Sequence, residues 1–321
     1  MSRRALVTGG AGFIGSHVTD LFLAQGYDVT ILDDFSSGKD ANVNPVATVV
    51  RESIVTPAAA TLIRDGRFDV IAHLAAQIDV RKSVDDPAWD AAMNIGGSLN
   101  LLEAVRKSGY PTRFVFSSSG GAQYGDFVEM PTIETAAKDP QSPYGVAKLT
   151  VEYYMSYFAR VHGLDTVALR YANVYGPRQD PHGEAGVVAI FCRRVLSGAA
   201  LTAYGDGLQT RDYVFVGDVA RANLLAAEAT LPKAGRLDDR GLNVGTGVET
   251  TVLELAATLQ RVASASVPLQ HDAARAGEQR RSCLAFGKTT DVLGWTPRVS
   301  LADGLKATLD FFRDERAGVS A

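Results

Sequence analysis

Cysteine is scarce in this sequence, and the two that occur, Cys192 and Cys283, form no Cys-x-x-Cys pair. The scarcity argues against a disulfide-bonded scaffold and a structural zinc site, and it fits a reducing compartment. Long apolar runs are also missing, since the first run, residues 5–7, is followed at once by Thr8 and two glycines. A signal peptide needs roughly 7–15 apolar residues and a transmembrane helix about 20. We therefore expect a cytoplasmic protein that does not bind a membrane.

The chain carries no excess of positive charge, because 32 Lys and Arg residues stand against 36 Asp and Glu residues, for a net charge of −4. This balance argues against a nucleic-acid partner. His162, His182 and His271 show no metal-ligand spacing, so no metal site is predicted. A chain of 321 residues is long enough to bury one large core and a smaller one.

Short apolar runs alternate with helix-length segments. The runs lie at 5–7, 29–32, 70–74, 114–116 and 167–169, and the helical segments at about 13–25, 87–107 and 143–162. This alternation predicts an α/β fold with a doubly wound, Rossmann-type parallel sheet. After residue 171, loops rich in Gly and Pro become prominent. We expect a nucleotide-binding domain at 1–170 and a smaller substrate-binding lobe mainly at 171–321, with some segments returning to the first domain.

Three glycines follow the first predicted strand and open a helix. Gly9, Gly12 and Gly15 permit a tight turn and the close approach of a pyrophosphate to the backbone. Alone, the triplet fits an ordinary strand-to-helix turn. Asp33, however, ends the second predicted strand, where an acid accepts hydrogen bonds from the adenosine ribose and repels a 2′-phosphate. The combination predicts an NAD site in residues 1–170 rather than an NADP site.

A tyrosine and a lysine four residues apart follow Pro143, so Tyr144 and Lys148 should share one helical face. The ammonium and a nicotinamide ring both favour the phenolate, which can then act as a base near neutral pH. Such a pair also occurs by chance on surfaces. The serines at 117–119 follow a buried strand, at the sheet edge where chemistry belongs, although a serine run is also typical of a loop. We interpret them as the source of a catalytic hydroxyl.

Together these segments resemble the extended short-chain dehydrogenase/reductase superfamily, specifically its nucleotide-sugar epimerases and dehydratases. The resemblance covers almost the whole chain, and its matching segments are Thr8–His17, His73–Gln77, Ser117–Ser119, Tyr144-x-x-x-Lys148, Leu169–Arg178 and Arg211–Val216. It implies a homodimer formed through the helices at 87–107 and 143–162, although those helix faces fit packing on their own sheet almost as well. Its catalytic residues would be Ser119, Tyr144 and Lys148.

The resemblance implies a tightly held NAD that is regenerated in each cycle. Its predicted contacts are Gly9, Gly12, Phe13, Ile14, Gly15, Asp33, Ser37, Lys39, Ser53, Ile54, Leu74, Ala75, Ala76, Gln77, Asn94, Tyr144, Lys148, Tyr171 and Val174. It also implies a UDP-sugar substrate, held by Ser118, Ser119, Tyr144, Asn173, Arg178, Val188, Arg211, Arg275 and Glu278. Val188 fits core packing equally well, and the arginines at 211 and 275 also fit surface ion pairs.

The residues after the serines decide among reactions. Dehydratases of this type carry an Asp-Glu pair there and decarboxylases a Glu, whereas this chain has Gly120-Gly121-Ala122-Gln123. Deprotonation at C5 therefore lacks its usual acid/base group. We predict a 4-epimerase, in which Tyr144 takes the C4 hydroxyl proton while hydride moves to NAD, and the 4-keto sugar then takes the hydride back on its other face. In this Gly-Gly type of loop, Ser119 aligns best with the catalytic hydroxyl and Ser118 second.

The sugar is predicted from two positions and from overall similarity. Ser282 stands where a bulky tyrosine restricts some epimerases to simple hexoses, and Arg178 can meet a C6 carboxylate. We predict conversion of UDP-glucuronate to UDP-galacturonate, ahead of the UDP-glucose/UDP-galactose alternative. A UDP-glucuronate decarboxylase, a dTDP-glucose 4,6-dehydratase and a non-catalytic NAD sensor are less favoured, the last because the Tyr/Lys pair is intact.

Overall fold

The apolar runs form the central strands of a parallel sheet, because each is buried on both faces. The computed structural model describes residues 2–181, 186–274 and 279–318. Its strands are β1 (Arg4–Thr8), β2 (Asp28–Asp33), β3 (Thr48–Arg51), β4 (Val70–His73), β5 (Arg113–Ser119), β6 (Asp165–Tyr171), β7 (Asn173–Tyr175), β8 (Leu201–Tyr204), β9 (Thr210–Arg211), β10 (Tyr213–Phe215), β11 (Gly241–Val244), β12 (Thr250–Thr251) and β13 (Leu269–Asp272).

Helices separate most of these strands. They are α1 (Phe13–Ala24), α2 (Pro57–Gly66), α3 (Val80–Asp85), α4 (Pro87–Ala91), α5 (Gly97–Ser108), α6 (Gly120–Gln123), α7 (Pro143–His162), α8 (Val187–Ser197), α9 (Val216–Glu228), α10 (Val252–Ala263), α11 (Gly287–Leu293) and α12 (Leu301–Gly318). Short 3₁₀ turns lie at Asp40–Asn42 and Leu237–Arg240, and a π turn at Ala92–Gly96. The predicted helix at 87–107 is therefore divided by the π turn into α4 and α5.

Seven parallel strands form the main sheet, in the order β11-β6-β5-β4-β1-β2-β3. The predicted doubly wound α/β fold is confirmed. The strand order reverses between β1 and β4, and ligands of open α/β sheets bind beyond the carboxyl ends of strands at such a point. Three smaller pairs, β10-β7, β12-β9 and β13-β8, lie outside this sheet.

Alternate residues of the strands pack in two hydrophobic cores, on opposite faces of the sheet. Val7 and Val115 pack in a core that includes Trp295, whereas Leu6 and Phe116 pack in a second core beneath α2, α5 and α7. A third core, around Phe191, joins α8, α10 and α12 in the C-terminal part of the chain. In the described residues, no helix is both long and apolar enough to span a membrane.

Candidate active site

The glycine-rich turn lies at the point where the strand order reverses. Gly9 has a φ of +70°, and a Cβ there would lie 2.8 Å from the Ala75 backbone nitrogen. A Cβ at Gly15 would lie 2.0 Å from the Gly9 carbonyl oxygen. Gly12 precedes α1, and no described side chain caps this helix, so its first-turn N–H groups at Phe13 and Ile14 are available to an anion. This geometry fits a pyrophosphate.

Asp33 holds the turn from the end of β2. Its carboxylate accepts hydrogen bonds from the backbone nitrogens of Ala11, at 2.9 Å, and Phe35, at 2.8 Å. Burial raises the pKa of this carboxyl. A Cβ at Gly38 would lie 2.8 Å from Asp33 Oδ1, so the following loop approaches the carboxylate closely. Asp33 therefore shapes the predicted ribose site as well as lining it.

Ser53 supplies a polar atom without a partner at the predicted adenine site. Its buried Oγ makes no hydrogen bond to any described residue. Such a group is costly to bury unless a ligand or water satisfies it, so the residues present fit a bound dinucleotide. The neighbouring Ile54 is buried, whereas Ser37 and Lys39 are exposed, and Lys39 Nζ lies 3.8 Å from Asp180 Oδ1.

A neutral histidine fixes the loop that follows β4. His73 Nδ1 lies 2.7 Å from Thr8 Oγ1, and its Nε2 lies 2.9 Å from Ser98 Oγ. Burial, with a smaller contribution from the positive charge of Lys148, lowers the pKa of His73 to about 3. Thr8 Oγ1 also accepts hydrogen bonds from the backbone nitrogens of Leu74 and Ala75. These contacts place the predicted cofactor contacts Leu74 to Gln77 at the reversal point of the sheet.

The side chain of Asn94 clamps Gln77. Asn94 Oδ1 accepts a hydrogen bond from Gln77 N at 2.8 Å, and Nδ2 donates to Gln77 O at 2.9 Å. Asn94 lies on the π turn, a feature that is frequent at functional sites. Asn94 Nδ2 also donates to Asp90 Oδ1 at 3.0 Å. Sequence analysis missed Asp90, although its spacing of four residues from Asn94 on a predicted helix was a usable signal.

Tyr144 and Lys148 share one face of α7, as predicted. Ser142 accepts a hydrogen bond from Gly145 N at 3.2 Å and caps the helix, and Pro143 occupies its first turn. Lys148 is 3% exposed, and its Nζ donates to Ser117 O at 2.8 Å and lies 5.7 Å from the centre of the Tyr144 ring. Burial lowers the pKa of Lys148 to about 8.

The protein alone keeps Tyr144 protonated. Burial, with a smaller contribution from the negative charge of Asp90, raises the pKa of its phenol to about 12. The predicted phenolate therefore needs a positive charge beyond Lys148, and an oxidised nicotinamide ring supplies one when NAD is bound.

The two candidate serines lie in different surroundings. Ser119 ends β5, is half-buried, and accepts a hydrogen bond from Ala122 N at 3.3 Å. Ser118 is 3% exposed, and its Oγ donates to Glu152 Oε1 at 2.6 Å and accepts from Gln123 Nε2 at 2.6 Å. The Ser118 hydroxyl is thus used inside the protein, and its contact with substrate stays a prediction. Ser119 remains the candidate catalytic hydroxyl.

A buried network of ion pairs around Arg170 lies next to Ser118. Arg170 is fully buried and donates to Glu152 Oε2 at 2.6 Å, to Asp238 Oδ1 at 2.8 Å and to the Tyr124 hydroxyl oxygen at 3.0 Å. Glu152 is thereby committed to structure, as is Ser118. Sequence analysis quoted Arg170 only as part of a motif, because no local pattern shows its partners.

The turn after Ser119 lies close to three other segments. A Cβ at Gly120 would lie 2.5 Å from Leu284 Cδ1, whereas one at Gly121 would lie 3.6 Å from Ser282 Oγ and 3.9 Å from Asn173 Oδ1. Gly120 is therefore required by packing, and Gly121 faces Ser282, which was related to the choice of sugar, and Asn173, which was predicted to hold the UDP-sugar diphosphate. Ser282 is 4% exposed.

Asp212 brings the predicted diphosphate ligands together. This fully buried carboxylate accepts hydrogen bonds from Thr246 N, Thr246 Oγ1 and Leu284 N at 2.8, 2.6 and 3.2 Å. Its own carbonyl oxygen accepts from Asn173 N at 2.9 Å. Asn173 lies on β7, which pairs with β10, and Arg211 lies on β9, which pairs with β12. No role was predicted for Asp212 from the sequence, although it lies in the segment Arg211–Val216.

Two predicted substrate contacts are engaged elsewhere. Arg178 has a φ of +68°, and its Nη1 lies 2.8 Å from Asp20 Oδ2 on α1. Val188 is 1% exposed and packs in the core around Phe191, which favours its alternative interpretation as a core residue. Arg275 and Glu278 lie outside the described residues.

The remaining predicted contacts lie on β6 and β7. Tyr171 is buried, and its hydroxyl accepts a hydrogen bond from Asn223 Nδ2 at 2.8 Å. The Val174 carbonyl oxygen accepts from Gln179 Nε2 at 3.1 Å. Across the described parts of the chain, no group of three or more His, Cys, Asp or Glu residues is arranged to hold a metal ion.

Comparison with known proteins identifies the family of this chain. The profile of the NAD dependent epimerase/dehydratase family matches residues 5–244. This chain belongs to that family. The UDP-glucose 4-epimerase of Mycolicibacterium smegmatis is 43% identical over 97% of this chain and 99% of its own length.

Crystal structures of family members extend the likeness to three dimensions. The Thermotoga maritima UDP-glucose 4-epimerase, solved with UDP-glucose, is 47% identical with a TM-score of 0.91 and covers 98% of this chain and 99% of its own. The Thermus thermophilus UDP-glucose 4-epimerase in complex with NAD is 42% identical, with a TM-score of 0.88 and coverages of 97% and 99%.

Family membership confirms three predictions, namely the epimerase family, an enzyme and NAD as its cofactor. A Bacillus cereus UDP-glucuronic acid 4-epimerase, solved with NAD and a fluorinated UDP-glucuronic acid, is a more distant family member. It is 30% identical with a TM-score of 0.87, and the match covers 97% of this chain and 99% of its own. The preference for glucuronate expressed in the sequence analysis is therefore less well supported than its UDP-glucose alternative.

Proposed function

We propose that this protein is an NAD-dependent UDP-sugar 4-epimerase that interconverts UDP-glucose and UDP-galactose. One observation carries the choice of reaction: Tyr144 and Lys148 lie on one face of α7, while the turn that follows Ser119 contains no acidic side chain. The named relatives above 40% identity support the choice of sugar. This choice replaces UDP-glucuronate as the first prediction.

The arrangement accounts for a reversible oxidation at C4. NAD, when held by the glycine-rich turn and Asp33, would supply the acceptor and donor of the C4 hydride. Tyr144, as the phenolate, takes the proton from the C4 hydroxyl and gives it back in the second half of the cycle. Ser119 orients the same oxygen. Lys148 keeps a positive charge on the phenolate side of the site, which favours the ionised form.

The turn Gly120–Gln123 disfavours elimination or decarboxylation. These reactions need an acid/base group near C5, and Gln123 supplies none, because it is an amide. Its Nε2 donates to Ser118 Oγ and to Glu152 Oε1, at 2.6 and 2.7 Å. Glu152 is paired with Arg170 and is not free to replace the missing carboxylate. Neither this turn nor Glu152 therefore supplies a base for a proton at C5.

The contacts of Arg178 disfavour a glucuronate substrate. Its guanidinium is paired with Asp20, a residue on α1, in the first domain. Meeting a C6 carboxylate would require breaking this partly exposed pair, which costs about 1 kcal/mol or less and leaves Asp20 its hydrogen bond from Asn44 Nδ2 at 2.8 Å, so the pair disfavours glucuronate only slightly. A neutral C6 hydroxymethyl group does not require Arg178 to separate from Asp20.

An apolar face of α7 favours a homodimer. Val146, Tyr153, Tyr154, Tyr157 and Val161 are 47%, 57%, 40%, 43% and 60% exposed. Their spacing places them along one side of the helix, and exposed apolar patches of this kind mark association surfaces. A second copy of the chain is the proposed partner, and the proposed location is the cytoplasm, which suits the two buried thiols.

Turnover by the purified protein tests the function. The protein is mixed, without added NAD, with UDP-glucose and separately with UDP-glucuronate, and the C4 epimers are resolved by chromatography. We expect UDP-galactose from UDP-glucose and no turnover by a Tyr144→Phe variant that still carries NAD. Conversion of glucuronate alone would restore the first prediction. Failure on both sugars, with NAD added, would overturn the epimerase proposal.

A further inference from the structure

A buried aspartate outside the predicted site lies beside it. Asp90 on α4 is 1% exposed. Its Oδ1 accepts hydrogen bonds from Gln77 Nε2 at 3.1 Å and Asn94 Nδ2 at 3.0 Å. Both donors belong to residues predicted to contact NAD, so Asp90 holds the Gln77 side chain directly and, through the Asn94 side chain, the Gln77 backbone.

The second oxygen of Asp90 is left without a partner. Oδ2 is buried and makes no hydrogen bond to any described residue. A buried carboxylate with one unsatisfied oxygen is strongly disfavoured unless a cation lies near it. Helix α4 packs against α7, which carries the buried ammonium of Lys148.

Lys148 needs such a partner for the same reason. Its Nζ donates to one carbonyl oxygen, and burial alone opposes its charge. Asp90 and Glu152 both favour the ammonium, but Glu152 is already paired with Arg170. Among the described carboxylates acting on Lys148, Asp90 is therefore the one without a cation of its own.

The other titratable groups around this pair are few. On α7, the negative charge of Asp90 contributes to the raised pKa of the Tyr144 phenol. From β4, His73 is neutral, because burial lowers its pKa to about 3. Helix α3 presents Ser83 to the Tyr144 backbone nitrogen, and its charged side chains are exposed.

We propose that Asp90 is a positioning residue for the C4 oxidation. Its carboxylate fixes the Gln77 and Asn94 side chains through one oxygen, and its negative charge, on a helix packed against α7, favours the ammonium form of Lys148. The inference rests on the proposed function for its turnover assay. It gives the π turn a role as well, since the turn sets Asn94 between Asp90 and the loop after β4.

The test is the pH dependence of turnover in an Asp90→Asn variant that carries NAD. The acidic limb of the kcat profile reports ionisation of Tyr144, and loss of the Asp90 charge lowers the pKa of Tyr144, so this limb moves to lower pH. The basic limb reports loss of the Lys148 ammonium, and the same substitution lowers the pKa of Lys148, so this limb also moves to lower pH. We expect both limbs of the kcat profile to move down by about one pH unit. A merely structural residue would lower kcat without moving either limb, and that result would overturn the proposal.

Asp86→Asn is the matched control. Asp86 is exposed and caps α4 by accepting from Trp89 N at 2.9 Å, a role that asparagine fills equally well. The control removes one negative charge four residues from Asp90, where solvent screens it. Its pH profile should match that of the unaltered protein. A shift equal to that of Asp90→Asn would mean that net charge alone is responsible, and it would overturn the inference.

A spectroscopic titration separates this inference from the proposed function. The phenolate absorbance of the NAD-loaded protein is measured against pH, and the difference from a Tyr144→Phe variant isolates Tyr144. We expect a lower midpoint with Asp90→Asn, whether or not any sugar is turned over. An unchanged midpoint would overturn the role of Asp90 even if UDP-glucose is epimerised.

If Asp90→Asn does not fold, Lys148→Met carries the test. Without its cation, Asp90 has a more strongly raised pKa, and the stability that a raised carboxyl pKa gives at low pH is lost as pH rises through that value. The thermal unfolding midpoint of Lys148→Met should therefore fall more steeply with rising pH than that of the unaltered protein, above the ordinary aspartate pKa of about 3.9. Parallel pH dependences would overturn the proposal.

Discussion

The cofactor side and the sugar side of the proposed site are assembled differently. On the cofactor side, one turn, one helix end and the Thr8–His73–Ser98 hydrogen bonds join neighbouring strands at the reversal point of the sheet. On the sugar side, Asn173 and Ser282 belong to distant segments that meet at Gly121. A rigid cofactor site beside a composite sugar site lets substrate specificity change without disturbing the redox chemistry.

The cofactor side should break most severely at Gly15. A Cβ there would lie 2.0 Å from the Gly9 carbonyl oxygen. Backbone atoms cannot move aside as easily as the end of a flexible side chain. We expect Gly15→Ala to cost about 3 kcal/mol or more in the free energy of unfolding and to abolish NAD retention. The measurements are urea unfolding and the NAD content of the purified protein.

Gly287→Ala is the control for Gly15→Ala. Gly287 opens α11, and a Cβ there meets no atom within 4 Å. Its stability should remain within about 0.5 kcal/mol of the unaltered protein. Full NAD retention by Gly15→Ala would show that the turn can relax, and the contrast between rigid and composite sides would be lost.

Acid should weaken the cofactor side through His73. Its folded pKa of about 3 lies below its ordinary value of 6.5, so its stabilising contribution is fully present above pH 6.5 and declines as pH falls towards 3. At about pH 5 this linkage costs about 2 kcal/mol, which a His73→Gln variant should not lose. Urea unfolding across this pH range measures the difference. His162→Gln, at an exposed position, should retain the full loss on acidification.

The sugar side should change specificity rather than fold. Ser282 Oγ would lie 3.6 Å from a Cβ at Gly121, so a tyrosine at 282 would fill space beside the turn. We expect Ser282→Tyr to lower kcat/KM for UDP-N-acetylglucosamine at least about tenfold more than for UDP-glucose, which is about 1.4 kcal/mol of discrimination. Unchanged NAD content is the internal control. Equal losses on both sugars would show that 282 does not face C2.

The same contrast explains what sequence could predict. The glycine turn, Asp33 and the Tyr144/Lys148 face depend on local spacing, and the structure places Asp33 against the turn and Tyr144 and Lys148 on one face of α7. The pairing of Ser118 with Glu152, 34 residues away, and of Arg178 with Asp20, farther still along the chain, could not be predicted, because no local spacing connects these residues. No role was predicted for Asp90 or Asp212, because no local sequence pattern marks a buried carboxylate. Its hydrogen-bond partners become known only from the packing of elements that are distant in the sequence.

The smallest expected effect lies where the two sides are tied together. Arg178 pairs with Asp20, His17 Nε2 lies 3.0 Å from the Pro177 carbonyl oxygen, and Lys39 lies near Asp180, so residues 177–180 connect the segment after β7 to α1 and to the loop after β2. The Arg178 and Asp20 side chains are 27% and 33% exposed, so solvent limits the strength of their pair to about 1 kcal/mol or less.

We expect Asp20→Asn and Arg178→Gln each to speed NAD release about two- to fivefold, with little further effect in the double variant, because both remove one shared interaction. Release is followed by cofactor fluorescence after reduction of the bound NAD. Arg193→Gln, which breaks the exposed pair of Arg193 with Glu315, should leave release unchanged. Additive effects of the two variants would mean that the two residues act separately, and the tie between the cofactor and sugar sides would then rest on His17 and Lys39 alone.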